Sequence, residues 1–231
     1  MALRVLNQQA IAVSVSHVDL EGLVQLVNRE KVTMNVNNIN DTQDMAIDEK
    51  IEYLESKKRT RLDIEKVLSF LPLAPQRQVV ADIGCGTGTF TLPLAHSLSK
   101  GRVYAIDIQE KMLEKVREKL VQQSIKNIET RLCGELEFPL EPGTMDGILL
   151  ANVLHETPDP MPFIKVISTL VRPGGWVAIL DWKKEKATKG PPFYKRLSPN
   201  KVQIISAEFG LYSNKIVPIW EDHYLVLLDK A

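Results

Sequence analysis

The stretch "VVADIGCGTGT" (79–89) places three glycines, Gly84, Gly86 and Gly88, on alternate positions behind two β-branched residues and an acid, Asp82. Glycine is the costly residue for ordered backbone, so the pattern asks for positive φ or for close approach of another molecule to bare main chain. A tight turn alone would need only one of them. Three chemistries compete for such a loop. A nucleoside-triphosphate loop demands G-x-x-x-x-G-K-[ST], and no lysine follows Gly88. A dinucleotide turn wants G-x-G-x-x-G/A, with a small third residue for close helix–strand packing; counted from Gly84, that place is Thr89. What stands is D-x-G-x-G-x-G.

That pattern, between a strand and a helix, resembles the first motif of the class I S-adenosylmethionine (SAM) dependent methyltransferases. SAM has no pyrophosphate to nest at a helix N-terminus; it presents an amino-acid tail with a cationic amine, and a sulfonium. Asp82 at the strand end suits that cationic portion, and Gly84, Cys85, Gly86 and Gly88 let the tail lie against the turn, Cys85 being an incidental small residue. Asp107, in "VYAIDIQEKML", ends the next strand, with Ile108 and Met112 beside it. A carboxylate there accepts hydrogen bonds from the vicinal hydroxyls of a ribose, and a helix-capping role is compatible with this. The resemblance further implies an acid near the adenine amine after the third strand, where "CGELEFP" offers Gly134, Glu135 and Leu136. It also implies that Ala151 and Asn152, in "LLANVLHETPDP", line the cleft beneath SAM. That segment and "VRPGGWVAILDWKKE" are similar to small-molecule methyltransferases of the ubiquinone/menaquinone group. The D/N-P-P-Y signature of enzymes acting on exocyclic or amide nitrogens is absent from the sequence.

Methyl transfer from a sulfonium is an in-line displacement with a neutral leaving group. Most of its acceleration can come from holding donor and acceptor collinear, an effect of about 7–11 kcal/mol. Such a site has no obligatory catalytic side chain. His155 and Glu156, past the fourth strand, are the candidates for deprotonating an acceptor, and they read equally well as residues that solvate a loop. His17, His96 and His223 are scattered without metal-ligand spacing, and no metal is expected. Phe193 and Tyr194 could belong to a lid over the pocket, and the lysines of "KKEKATKG" could screen an anionic substrate or simply solvate a loop. An NAD(P)-dependent oxidoreductase and a non-catalytic SAM-binding protein are the other classes left open.

The elements that must position these residues alternate regularly from about residue 46. "IDEKIEYL" puts Ile47, Ile51 and Leu54 on one helical face, and "LDIEKVLSFL" does likewise before Pro72. Strands are expected at 79–83, 102–107, from Ile128, at 146–152 and at 176–182, with helices between them from near Gly88 to Leu98, at 110–123 and over "DPMPFIKVISTLV". "RPGG" reads as a turn, and Ser198 as the cap of a short helix ending at Gly210. Near-continuous apolar strands between amphipathic helices mean a parallel sheet covered on both faces. The last two strands, "NKIVPIW" and "HYLVLLD", are separated by two residues, too few for a parallel crossover, so they must be antiparallel neighbours. The expected fold is α/β: a Rossmann-like, doubly wound, seven-stranded sheet, mostly parallel, with an antiparallel C-terminal hairpin strand and helices on both faces.

Residues 45–231 are expected to form the methyltransferase domain. Residues 1–44 read as an extension, partly helical at "DLEGLVQLVNRE" and then a polar Asn-rich linker or disordered segment; a start placed upstream of Met45 is the alternative account. Lys+Arg and Asp+Glu both number 29, so the formal net charge is zero and gives no bulk attraction to nucleic acid or anionic membrane. No apolar run approaches a membrane span, the N-terminus lacks a secretory pattern, and Cys85 and Cys133 cannot make a disulfide framework. A cytoplasmic enzyme with a small-molecule methyl acceptor is expected.

Overall fold

The computed structural model describes residues 46–56, 63–74, 77–185 and 189–231, all within one unit of the chain, Asp41–Ala231. The extension at 1–44 and its boundary lie outside the described residues. Helices α1 (Ile47–Glu55) and α2 (Ile64–Leu68) precede the sheet. Then follow β1 (Val79–Ile83), α3 (Thr91–Ser97), β2 (Arg102–Asp107), α4 (Glu110–Gln123), β3 (Ile128–Leu132), β4 (Met145–Ala151), α5 (Pro160–Leu170), β5 (Val171–Trp182), α6 (Pro199–Ala207), β6 (Leu211–Ile219) and β7 (His223–Lys230).

Local chemistry fixes several of these ends. Asp63, Asp159 and Ser198 each accept a hydrogen bond from a first-turn amide of the helix they precede, satisfying donors that have no partner inside the helix. Pro160 and Pro199 open α5 and α6, where a missing N–H costs nothing. Ser124 closes α4 in the left-handed region at φ 55°.

The seven strands lie in the order β3-β2-β1-β4-β5-β7-β6. All neighbouring pairs from β3 to β5 are parallel, and β7 runs antiparallel to both β5 and β6. The expected hairpin is present, but its second strand inserts between β5 and β6, so the last strand of the sequence is an inner one. One face of the sheet carries Val80, Val103, Leu149 and Ala178 against α2 and α3, with α4 packing on Ala105. The other carries Ile83, Ile106, Ile148 and Ile179 against α5 and α6. The strands at the centre are buried on both faces, which is why they read as continuous apolar runs.

Two elements differ from expectation. The helix after the glycines begins at Thr91, since the chain is still turning through Gly88. "RPGG" lies within β5, where the register with β4 slips between Met145 and Gly147 and Arg172–Gly174 are exposed. Among the described residues no helix is long and apolar enough to cross a membrane.

Candidate donor and acceptor site

In an open α/β sheet, ligands bind outside the carboxyl ends of the strands where the strand order reverses. Here that crevice opens between β1 and β4, whose ends carry the glycine turn and Ala151–Asn152.

All three glycines have positive φ: 71° at Gly84, 51° at Gly86 and 88° at Gly88. A Cβ on Gly84 would stand 2.4 Å from Val153 Cγ2, so the turn admits the post-β4 chain only because it is bare. The amides of Gly84 and Cys85 donate to Ile106 O, and Gly86 N donates to Asp107 Oδ2 at 2.9 Å. Asp107 Oδ1 accepts from Gln109 N, also at 2.9 Å. This carboxylate therefore fastens the glycine turn to the β2 end and caps the approach to α4, and each oxygen keeps a lone pair for a ligand hydroxyl. Burial raises the Asp107 carboxyl above its usual range; the Gln109 and Gly86 amides and the Lys50 charge oppose that rise, and Glu156 adds to it.

Asp82, expected to face a cationic group, is buried at the end of β1. It is 1% exposed and accepts from Thr91 Oγ1 at 2.6 Å, holding the first turn of α3 beneath the glycines. Burial raises it to about 7, the Thr91 bond opposes this, and Asp107 adds to it. Cys85 and Met112 are buried, and burial pushes the Cys85 thiol far above its usual range.

Ile108, Leu132 and Leu136 are exposed apolar side chains beyond the β2 and β3 ends, where a nucleobase would need flat apolar contact. An open cavity of about 340 Å³ lies there, lined by Leu132, Cys133, Gly134, Glu137, Phe138 and Pro139. Glu135 sits exposed on the same turn, which Gly134 N closes by donating to Glu137 O; the acid lining the cavity is Glu137.

The β4 and β5 ends carry a second cluster. His155 is 5% exposed, with Nδ1 2.7 Å from Asp181 Oδ1, and its main-chain N donates to Asp181 Oδ2. A carboxylate can only accept, so Nδ1 carries a proton, and in the neutral form of the ring the lone pair is on Nε2. Nε2 lies 4.0 Å from Glu156 Oε1, and Glu156 is paired at 3.1 Å with Lys50 of α1. Beside this pair of groups, His223 lies with Nδ1 2.7 Å from Asp222 Oδ1 and Nε2 3.0 Å from Asn152 Oδ1. Burial pushes the His223 ring below its usual range, and Asp222 opposes that. Asn152 adopts φ 60°, which aims its side chain at this ring.

Asp181, His223 and Lys50 were not singled out from the sequence. His223 looked isolated because antiparallel pairing brings the start of β7, not its end, to Trp182. Lys50 carried a legible signal: a lysine on the stripe of Ile47, Ile51 and Leu54. Arg196, 2% exposed, donates through Nε to Pro191 O at 2.7 Å and through its terminal nitrogens to Lys183 O, Glu185 O and Lys189 O. Phe193 and Tyr194 are exposed.

The turn and its carboxylate define a nucleoside-binding class on this sheet, and comparison with known proteins names it. Residues 81–179 match the methyltransferase-domain family. A SAM-dependent methyltransferase from Aquifex aeolicus is 31% identical, with a TM-score of 0.73, over 81% of this chain and 100% of that one. A demethylmenaquinone methyltransferase of Lactococcus lactis is 31% identical over 142 residues, 60% of this chain and 50% of its own length. The chain thus spans about half of that curated relative. Phosphoethanolamine N-methyltransferase 2 of Haemonchus contortus, solved with SAM, shares the fold at 13% identity and TM-score 0.67, over 79% of this chain and 57% of that one. The chain belongs to the class I SAM-dependent methyltransferases. The donor of that family suits the residues present: bare main chain at the turn, a β2 carboxylate with free lone pairs, and an apolar slot beside it.

Proposed function

We propose that this protein transfers a methyl group to a small, weakly acidic acceptor of the phenol or quinol kind, with His155 as general base. The observation that carries the reading is the buried His155–Asp181 pair at the β4 and β5 ends. Asp181 fixes the ring tautomer and leaves Nε2 as a lone pair next to the crevice. SAM supplies an electrophilic methyl on a sulfonium that leaves as a neutral thioether. The chain's own part is to hold the donor on the glycine turn and Asp107, and to take a proton at His155 Nε2 as the acceptor becomes nucleophilic. Relatives named demethylmenaquinone methyltransferase favour a naphthoquinol acceptor. The free thiols Cys85 and Cys133 suit a reducing compartment, so we place the reaction in the cytoplasm. No specific observation favours nicotinamide chemistry.

The test is tritium transfer from methyl-labelled SAM to 1,4-naphthohydroquinone, kept reduced, beside panels of catechols, amines and thiols. Label in the naphthohydroquinone product is expected. His155→Gln should lower turnover by about 10²–10⁴-fold with SAM affinity unchanged. Label entering none of the panel, or a variant as fast as the parent, would sink the reading.

A further inference from the structure

Helix α1 lies over the most important main chain in the molecule with little to hold it there. None of its side chains is buried. Its inward stripe, Ile47, Lys50, Ile51 and Leu54, is only half-buried, and Leu54 Cδ1 stands 3.3 Å from where a Cβ on Gly86 would be. Ion pairs tie the helix down: Asp48 to Lys111, Glu55 to Lys119, and Lys50 to Glu156. The Asp48 pair is well exposed and the Glu55 pair partly so, and such pairs contribute little.

The Lys50 pair differs from both. Nζ lies 3.1 Å from each Glu156 oxygen, and the side chains are only 15% and 28% exposed. The lysine comes from the inward face, where an ammonium is out of place beside isoleucine and leucine. Both charges reach Asp107, Lys50 favouring its ionised form and Glu156 opposing it. The ammonium thus stands across the crevice between the β2 end and the post-β4 loop, above the bare turn.

We propose that Lys50 is a resident cation that holds the donor crevice shut through Glu156 and is exchanged for the positive charge of the donor, so that this contact distinguishes charged SAM from its neutral by-product. The inference rests on the donor-site reading above. SAM and S-adenosylhomocysteine differ by one methyl group and one positive charge, and nearly not at all in shape. A ligand bringing its own cation toward Glu156 offsets the loss of the Lys50 pair. A neutral thioether does not, and the pair persists or re-forms above it. Methyl transfer therefore removes the charge that keeps α1 displaced, and the returning lysine favours departure of the by-product.

Calorimetric titration of the full chain with SAM, sinefungin and S-adenosylhomocysteine tests this, sinefungin being a stable analogue with an amine in place of the sulfonium. In Lys50→Met, SAM and sinefungin should bind about tenfold more tightly, and S-adenosylhomocysteine should change by less than about threefold. Lys50→Arg keeps the charge and should keep the parental ratio. Equal tightening of all three ligands would mean a merely steric cover. Weaker SAM binding would mean that Lys50 contacts the donor's carboxylate, and no change would mean that the pair is decorative; each overturns the proposal. Parental protein that binds none of the three overturns the donor-site reading itself, a result distinguishable from the others.

Discussion

Asp82→Asn would reveal whether the carboxyl beneath the glycine turn titrates near neutrality. Burial places its folded value at about 7, with the Thr91 hydroxyl opposing and Asp107 adding to the rise. In the unfolded chain the same group loses its proton near about 4. Between those values the folded protein keeps a proton that the unfolded chain has released. Stability is therefore full below about pH 4, falls as pH climbs, and has lost this contribution above about pH 7. Three pH decades at about 1.4 kcal/mol each set a ceiling of about 4 kcal/mol, or about 8–16 °C in melting temperature for a chain of this size. Asparagine has nearly the same shape, never ionises, and its carbonyl can still accept the Thr91 hydroxyl. Melting curves of parent and variant from about pH 5 to about pH 8 should diverge, the parent falling more steeply and the variant melting higher at the alkaline end. Parallel curves across that range would refute the reasoning, because the carboxyl would then be ionised in both states throughout.

Other perturbations reach the site from different sides. Asp107→Ala removes an acceptor that serves the turn and, in the proposed donor site, a ribose, and should weaken SAM binding by about tenfold to more than a hundredfold by calorimetry; an unchanged Kd would take Asp107 out of the donor site. Gly84→Ala adds a Cβ 2.4 Å from Val153 Cγ2 at φ 71° and should cost about 1–3 kcal/mol in denaturant unfolding, partly recovered by adding Val153→Ala. Full recovery in the double variant would show that the clash, not the backbone strain, is what demands glycine.

The sheet was legible because its signals are local. Strands β1 and β2 and helix α4 fall where periodicity puts them, and the short gap before "HYLVLLD" forces an antiparallel pair. That β7 inserts beside β5 was not legible, since pairing partners distant in sequence are chosen by packing on both faces rather than by spacing. The proposed donor site splits in the same way. Gly84, Gly86, Gly88 and Asp107 announce themselves through residue type and position. Asp82 has the right type, yet Thr91 captures it from behind, a contact that depends on how α3 meets β1. Asp181 and His223 become interesting only when β5 and β7 lie side by side, so no pass along the chain could join them to His155 or Asn152.

The Arg196 clamp bears on how such an enzyme can diversify. Among the described residues, every atom that receives a hydrogen from this guanidinium is a main-chain oxygen, from Lys183, Glu185, Lys189 and Pro191. Those four positions are thereby held without reference to the side chains they carry. Such a tether is blind to sequence, so these positions can exchange one set of functional groups for another while their main chain stays put. Novelty in what is recognised there would come at little thermodynamic risk to the scaffold.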